Sequence, residues 1–271
     1  MAGKLKFFSA LTEQTAIKVS ANRKNWTNFL NTAARTYKYS FPDQILIHAQ
    51  RPHAIACAPI ETWNETFNYM VSRGSKGIGL IDDTGNYPKI KYVFDYTDTE
   101  PSPYYAPRPA QIRKLQQALW EMRVEHNPSV LDALGKIYDD VDENSLIDSF
   151  RNVAKQMAKE YYEDNSREIR FNAENSFFEE LDEFNFSVAF EEALTTSIAY
   201  TLAVRCGIDT AEHFEDEDFQ FIYQFNTQDM VFALGTAASE LSQQVLRDVE
   251  IAVKKIERQI VFLSTKKCSE Y

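Results

Sequence analysis

Apolar residues recur at helical spacing over most of the chain and alternate at strand spacing in only one short region. A first amphipathic helix is expected over about residues 9–37, where Trp26, Phe29, Leu30, Ala33 and Tyr37 share one face. The stretch "YSFPDQILIHAQRP" (39–52) predicts a short helix: Ser40 and Asp43 approximate a capping box, Pro42 suits a first turn, and Pro52 stops continuation. Ile45, Leu46 and Ala49 supply its buried side, and Gln44, His48 and Arg51 fall roughly opposite.

"AIACAPI" (54–60) predicts a short buried strand, and "ETWNETFNYMVSRG" (61–74) a helix ended by Gly74. "KGIGLID" and "KIKYVFD" on either side of "DTGNYP" predict a β-hairpin. The segment 97–109 holds four prolines and is expected to be a linker. Beyond it the pattern is helical, at about 110–125, 128–139, 144–163, 187–206 and 227–261. The last carries Met230, Leu234, Leu241, Val245, Val249, Ile256 and Ile260 on one stripe. The expected architecture is α+β: a small α+β domain with a hairpin over 1–96, the linker, then an acidic all-α domain over 110–271.

Charge sharpens that division. The net charge is −11, but residues 1–113 hold 14 Lys+Arg against 9 Asp+Glu, while residues 114–271 hold 15 against 31. Halves of opposite sign point to different partners, and the basic half permits a polyanion. An apolar fraction of 44% supports a sizeable core, and no apolar run reaches the roughly 20 residues a bilayer span needs. The N-terminus lacks the apolar stretch of a signal peptide. Three scattered cysteines, Cys57, Cys206 and Cys268, fit a reduced cytoplasmic protein without a disulfide framework.

The candidate chemistry lies around the hairpin. Arg73, Lys76, Lys89 and Lys91 cluster there with Tyr92 interleaved, and Arg51, Gln44, His48 and Tyr39 stand on the neighbouring short helix. Cations along a groove with aromatic faces between them are what non-specific single-strand binding requires. The backbone of "RGSKG" also suits a phosphate. By residue type alone, a solvated basic turn at a strand edge is the plainer account.

An amphipathic helix bearing Trp26, then "YSFPDQILIHAQ", a small-residue strand, Trp63 and "VSRGSKGIGLID" together resemble the N-terminal domain of the ArdC antirestriction proteins. That resemblance covers about residues 25–95, and the whole chain also looks like the front end of the large methylase–helicase proteins of Gram-positive conjugative elements. It implies single-stranded-DNA binding and a role in protecting or handling DNA during transfer. Asp43 departs from the asparagine common in that family. Trp26 and Trp63 are expected in the core.

A second resemblance lies in "FEEALTTSIAYTLAVRCGIDT" (190–210), which is similar to the helix after the zinc motif of ArdC-like and ImmA-like metallopeptidases. It implies that Lys155, Gln156, Lys159 and Thr196 occupy the positions of the zinc ligands and general base. Two ammonium groups, an amide and a hydroxyl neither hold a dication nor activate water. The expectation is a degenerate, non-enzymatic domain without metal or other cofactor.

Other motifs carry less. "GIGLIDDTG" lacks a phosphate-binding glycine pattern, and Asp82, Asp83, Asp95 and Asp98 are expected to serve turns rather than a metal-dependent nuclease. "HFEDEDFQF" (213–221) is an acidic run before a helix. A rival expectation gives the acidic helical domain the active role, as an interaction module that inhibits a host restriction or defence nuclease through its DNA-like charge. The end, "QIVFLSTKKCSEY", fits either a short protein or the first part of a longer one.

Overall fold

The structure, a computed structural model, describes residues 2–268, with side chains over 3–259. Two helices stand where one was expected over 9–37: α1 (Ala2–Ser20) and α2 (Arg23–Arg35). Asn22 causes the break, being extended with its side chain accepting from Asn25 N at 2.9 Å, a standard N-cap that starts a new helix. Helix α2 buries Trp26, Phe29, Leu30 and Ala33, and Trp26 Nε1 donates to Ser197 Oγ at 2.9 Å. Helix α3 (Phe41–Gln50) follows, but Ser40 makes no side-chain cap, so the capping box expected with Asp43 does not form.

Five short strands come next: β1 (Cys57–Ala58), β2 (Tyr69–Val71), β3 (Ile78–Asp82), β4 (Lys89–Asp95) and β5 (Thr99–Pro101). The expected hairpin is β3–β4, paired antiparallel from Ile78↔Val93 to Asp82↔Lys89, and β1 adds to the other edge of β4. The helix expected over 61–74 is only a π-helical turn at Thr62–Phe67, ended by Asn68 at φ 60°. The chain then runs into β2, which pairs with β5 inside the segment expected to be a linker. Pro101 tolerates this because it lies at the end of a three-residue edge strand.

The helical remainder is α4 (Pro109–Ala118), α5 (Asn127–Leu134), α6 (Leu146–Phe171), α7 (Glu183–Arg205) and α8 (Gln228–Cys268). Met230, Leu234, Val245 and Val249 are buried along the expected α8 stripe. The Ile260 side chain and Cys268 lie outside the described side chains. Among the described residues, no helix is long and apolar enough to cross a membrane.

The chain is α+β and mainly helical, yet its cores do not divide at 97–109. Ala16, Trp26, Phe29, Leu30, Phe41 and Ile45 belong to the same buried cluster as Phe150, Phe190, Leu202, Leu234 and Val249. Conversely, Leu115 of α4 packs with Trp63 and Phe67 beside the small strands. A smaller cluster, Phe8, Leu46, Ile47, Ile78, Leu80 and Val93, seats the hairpin on α1 and α3. The apolar faces of α1–α3 are thus shared between the sheet on one side and α7–α8 on the other.

Gly235, in mid α8, marks the tightest of these contacts, because a Cβ there would overlap the Phe41 ring. Gly→Ala in a helix interior ordinarily stabilises by about 1 kcal/mol. Here overpacking should reverse the sign, and Gly235→Ala is expected to destabilise by about 1–3 kcal/mol in chemical denaturation.

Candidate nucleic-acid interface

The predicted site residues separate into those the fold consumes and those it leaves facing outward. Gln44 is consumed: it is 1% exposed, and its Nε2 donates to Tyr39 O at 3.0 Å and Thr36 O at 3.3 Å. A buried carboxamide closing the α2–α3 turn cannot meet a ligand, which corrects the expectation for this residue. Tyr39 is half-buried and its hydroxyl donates to Cys57 O at 2.7 Å, so its ring packs between α3 and β1 instead of offering a stacking face. Burial pushes its phenol upward, with Cys57 and Asp43 adding to the shift. The Cys57 thiol is pushed up to about 12 by burial first and Asp95 second, which leaves it unreactive.

Three of the five predicted cations carry partners. Arg51 pairs with Asp98 and extends toward Lys76 O at 3.5 Å. Lys91 lies 3.3 Å from Asp43, and Lys89 the same distance from Asp82. Burial raises the Asp43 carboxyl from its ordinary value, while Lys91 works in the opposite direction. Asp95 is buried and accepts from Ile55 N at 2.7 Å and Ala56 N at 2.9 Å, and Asp98 Oδ2 accepts from Asp95 N at 3.3 Å. Both aspartates therefore close turns, as expected.

Arg73 and Lys76 remain exposed on the turn between β2 and β3, with no ion pair among the described residues. Gly77 is pressed against Tyr92, where a Cβ would meet the Tyr92 Cβ and Cδ1 at 3.2 Å. Tyr92 stands opposite Gly79 on β3, 43% exposed. Two residues that composition did not single out complete the patch. The Lys4 ammonium is 3.5 Å from the Tyr92 hydroxyl and 6.0 Å from its ring centroid. Phe7 is 61% exposed and edge-on to Phe8, the ring that fills the space over Gly79. The signal for them was "KLKFF" at the start of α1, two lysines and two aromatics within one turn.

His48 turns away from this patch into a cleft of about 700 Å³ between α1, α2 and α3. Lys18, Arg35 and His53 line the cleft with Asn25, Asn28 and Asn31, and no carboxylate among the described residues does. Asparagines at i, i+3 and i+6 share a face of α2, a spacing readable in the sequence. Arg35 is itself anchored, its Nε donating to Ala54 O and its Nη2 to Pro52 O, each at 2.7 Å. Burial lowers the Arg35 guanidinium from its ordinary value and the charge of Asp95 opposes that.

The positions read as a degenerate metallopeptidase lie on the outer parts of α6 and α7. Lys155 and Lys159 are exposed, Gln156 and Thr196 are half-buried. Gln156 Nε2 donates to Glu160 at 2.9 Å, and Lys159 sits 3.9 Å from Glu163. Among the described residues, no three His, Cys, Asp or Glu side chains converge on one point. In the acidic run, Phe214 and Phe219 turn inward to pack on Tyr200, and Asp216 pairs with Arg23. No protein family model matches the chain, nor does any curated protein or solved structure.

The His48 imidazole is depressed to about 4, by burial first and then by Arg35, Lys18 and His53. Folding therefore favours its neutral form. The contribution is fully present above the unfolded value near 6.5 and is lost as pH falls toward 4. After discounting for its partial exposure, about 1–2 kcal/mol should disappear over that window. Unfolding curves at pH 7, 5.5 and 4.5 should show a shallower loss in His48→Asn than in the wild type.

Proposed function

We propose that this chain is a non-enzymatic single-stranded-DNA-binding protein whose contact surface is the Arg73–Lys76 turn together with Tyr92, Phe7 and Lys4. The observation that carries the reading is the exposed Tyr92 ring with the Lys4 ammonium against its edge, next to a turn whose Arg73 and Lys76 are exposed and have no ion pair among the described residues. Aromatic faces stack bases of any identity, at about 1–3 kcal/mol per base, and the cations meet the phosphates between them. The turn also offers backbone N–H groups near Gly74, which has φ 91° and gives a phosphate close access.

The same resemblance that implied DNA binding gives the biological setting, antirestriction or the handling of DNA during its transfer between cells. Lys89, Lys91 and Arg51 extend the positive surface without being free contacts, since each is held by a carboxylate. An acidic helical body restricts a polyanion to the N-terminal face through repulsion elsewhere.

Replacing Arg73 and Lys76 together by Ala should weaken binding of a single-stranded oligonucleotide and reduce its salt slope by about 1.4, at roughly 0.7 for each phosphate contact. Fluorescence anisotropy at two salt concentrations checks this, and an unchanged slope would remove the turn from the interface. Tyr92→Ala should cost about 1–3 kcal/mol of affinity with the slope preserved, because stacking releases no counterions. Asp43→Asn should act in the other direction. It releases Lys91 from its ion pair, so oligonucleotide binding should tighten at low salt, by an amount that vanishes at high salt.

A further inference from the structure

The cleft between α1, α2 and α3 is separate from the DNA-contact patch, and its chemistry is more specific. Its cations are Lys18 of α1 and Arg35 of α2, and His53 beyond α3 adds an imidazole that can donate a hydrogen bond. Two of the five Arg35 N–H donors are committed to backbone carbonyls, which leaves three for a ligand. With no carboxylate among the described lining residues, the field in the cleft selects an anion.

His48 adds a requirement of the opposite polarity. Its Nδ1 lies 2.8 Å from Thr32 Oγ1, and that same oxygen lies 2.8 Å from Pro52 O. A carbonyl oxygen carries no hydrogen, so the Thr32 hydroxyl must donate to it. Thr32 Oγ1 must then accept from His48, which places the imidazole proton on Nδ1. Nε2 is left as a bare acceptor, without a protein partner among the described residues. The Phe29 ring, edge-on at 5.8 Å, holds the imidazole in that orientation. Asn28 and Asn31 also line the cleft, their carboxamides without a hydrogen-bond partner among the described residues, and each can donate and accept.

We infer that this cleft is a binding site for a nucleoside monophosphate, its phosphate held by Lys18, Arg35 and His53 and its hydroxyl or amine donors received by His48 Nε2 and the asparagine carboxamides. A sulfate ion, which has no hydrogen to donate, would leave the acceptor of His48 unused, and an uncharged nucleoside would leave the two cations, Lys18 and Arg35, without a partner. A volume of about 700 Å³ lies in the range of small-molecule sites and accommodates a mononucleotide. This site does not depend on the DNA-binding patch, since it shares no residue with it.

Calorimetric titration of the full chain at low salt with AMP, GMP, CMP and UMP tests the proposal. At least one is expected to saturate with a dissociation constant below ~1 mM, and its nucleoside and inorganic phosphate should each bind at least about tenfold more weakly. Lys18 is exposed, so Lys18→Glu leaves the fold intact and should weaken the nucleotide by about fivefold or more. His48→Asn retains a donor to Thr32 but loses the acceptor, whereas His48→Gln places a polar atom near the position of Nε2. The first should weaken nucleotide binding while sparing sulfate, which has no donor for Nε2, and the second should recover part of the loss. The Arg73→Ala, Lys76→Ala variant should bind the nucleotide as the wild type does. Absence of saturation for all four nucleotides at ~10 mM overturns the inference. So does an unchanged affinity in Lys18→Glu, or a loss confined to the Arg73 and Lys76 variant.

Discussion

The turn between α2 and α3 is held from α8, and both candidate sites depend on that grip. Gln243 Nε2 donates to Tyr37 O at 2.9 Å and Ser239 Oγ to Tyr39 O at 3.3 Å. Glu250 accepts from the Tyr37 hydroxyl and from Lys38 Nζ at 2.8 Å, with Lys254 one turn along completing the cage. Burial alone would raise the Glu250 carboxyl, yet hydrogen bonds from Lys254, Lys38 and Tyr37 outweigh it and leave it lowered. Such a buried carboxylate is stable only while its donors stay in place, and removing one partner costs more than the bond itself contributed. Trp120 donates to the same Tyr37 hydroxyl at 3.1 Å, and Arg205 stacks on Trp120 at 3.7 Å while donating to its carbonyl. Four distant segments therefore meet at Tyr37.

Fixing that turn fixes α3, and α3 borders both candidate sites. One side of it seats the hairpin through Leu46 and Ile47, and its Gln50 carboxamide exchanges two 2.9 Å hydrogen bonds with the backbone of Gly79. That amide occupies the outer edge of β3, which would otherwise offer unpaired groups to another strand. A third side of α3 presents His48 to the cleft. The acidic helices thus contribute to the basic face mechanically: α8 sets the position of α3, and α3 aligns both sites.

What was legible in the sequence was local. The hairpin, the short helix at 41–50 and the stripe of α8 follow from residue spacing and from proline stops, and each is found where spacing places it. The break at Asn22 was also local but was overridden by the continuous apolar frame on either side of it. What escaped was pairing over distance. Nothing within 61–74 announces that Tyr69–Val71 will pair with Thr99–Pro101, because a three-residue strand has no periodicity of its own and the prolines around it argue for a linker. The ion pair of Lys91 with Asp43 spans 48 residues, and that of Arg51 with Asp98 spans 47. A basic cluster read from spacing alone cannot distinguish cations already neutralised from those still exposed. Gln44, expected on the polar edge of its helix, is buried because the turn carbonyls of Thr36 and Tyr39 need a donor there.

The charge division acquires a physical meaning once the cores are seen to be shared. The lysine- and arginine-rich start and the carboxylate-rich remainder share one buried cluster and are not two detached domains. At physiological salt a charge is felt over about 8 Å, so the acidic helices do little to weaken contacts on the far side. Toward the proposed oligonucleotide they would act on encounter, repelling a polyanion from acidic surface and favouring approach to the basic patch. Adding salt then has two opposing consequences: it weakens phosphate contacts at the patch and relaxes the exclusion elsewhere. The cleft is less exposed to both effects, because Arg35 and His48 are partly buried and their interactions are screened less. A small phosphate held there should therefore respond to salt more weakly than an oligonucleotide on the open patch, which gives the two proposed sites distinct electrostatic behaviour.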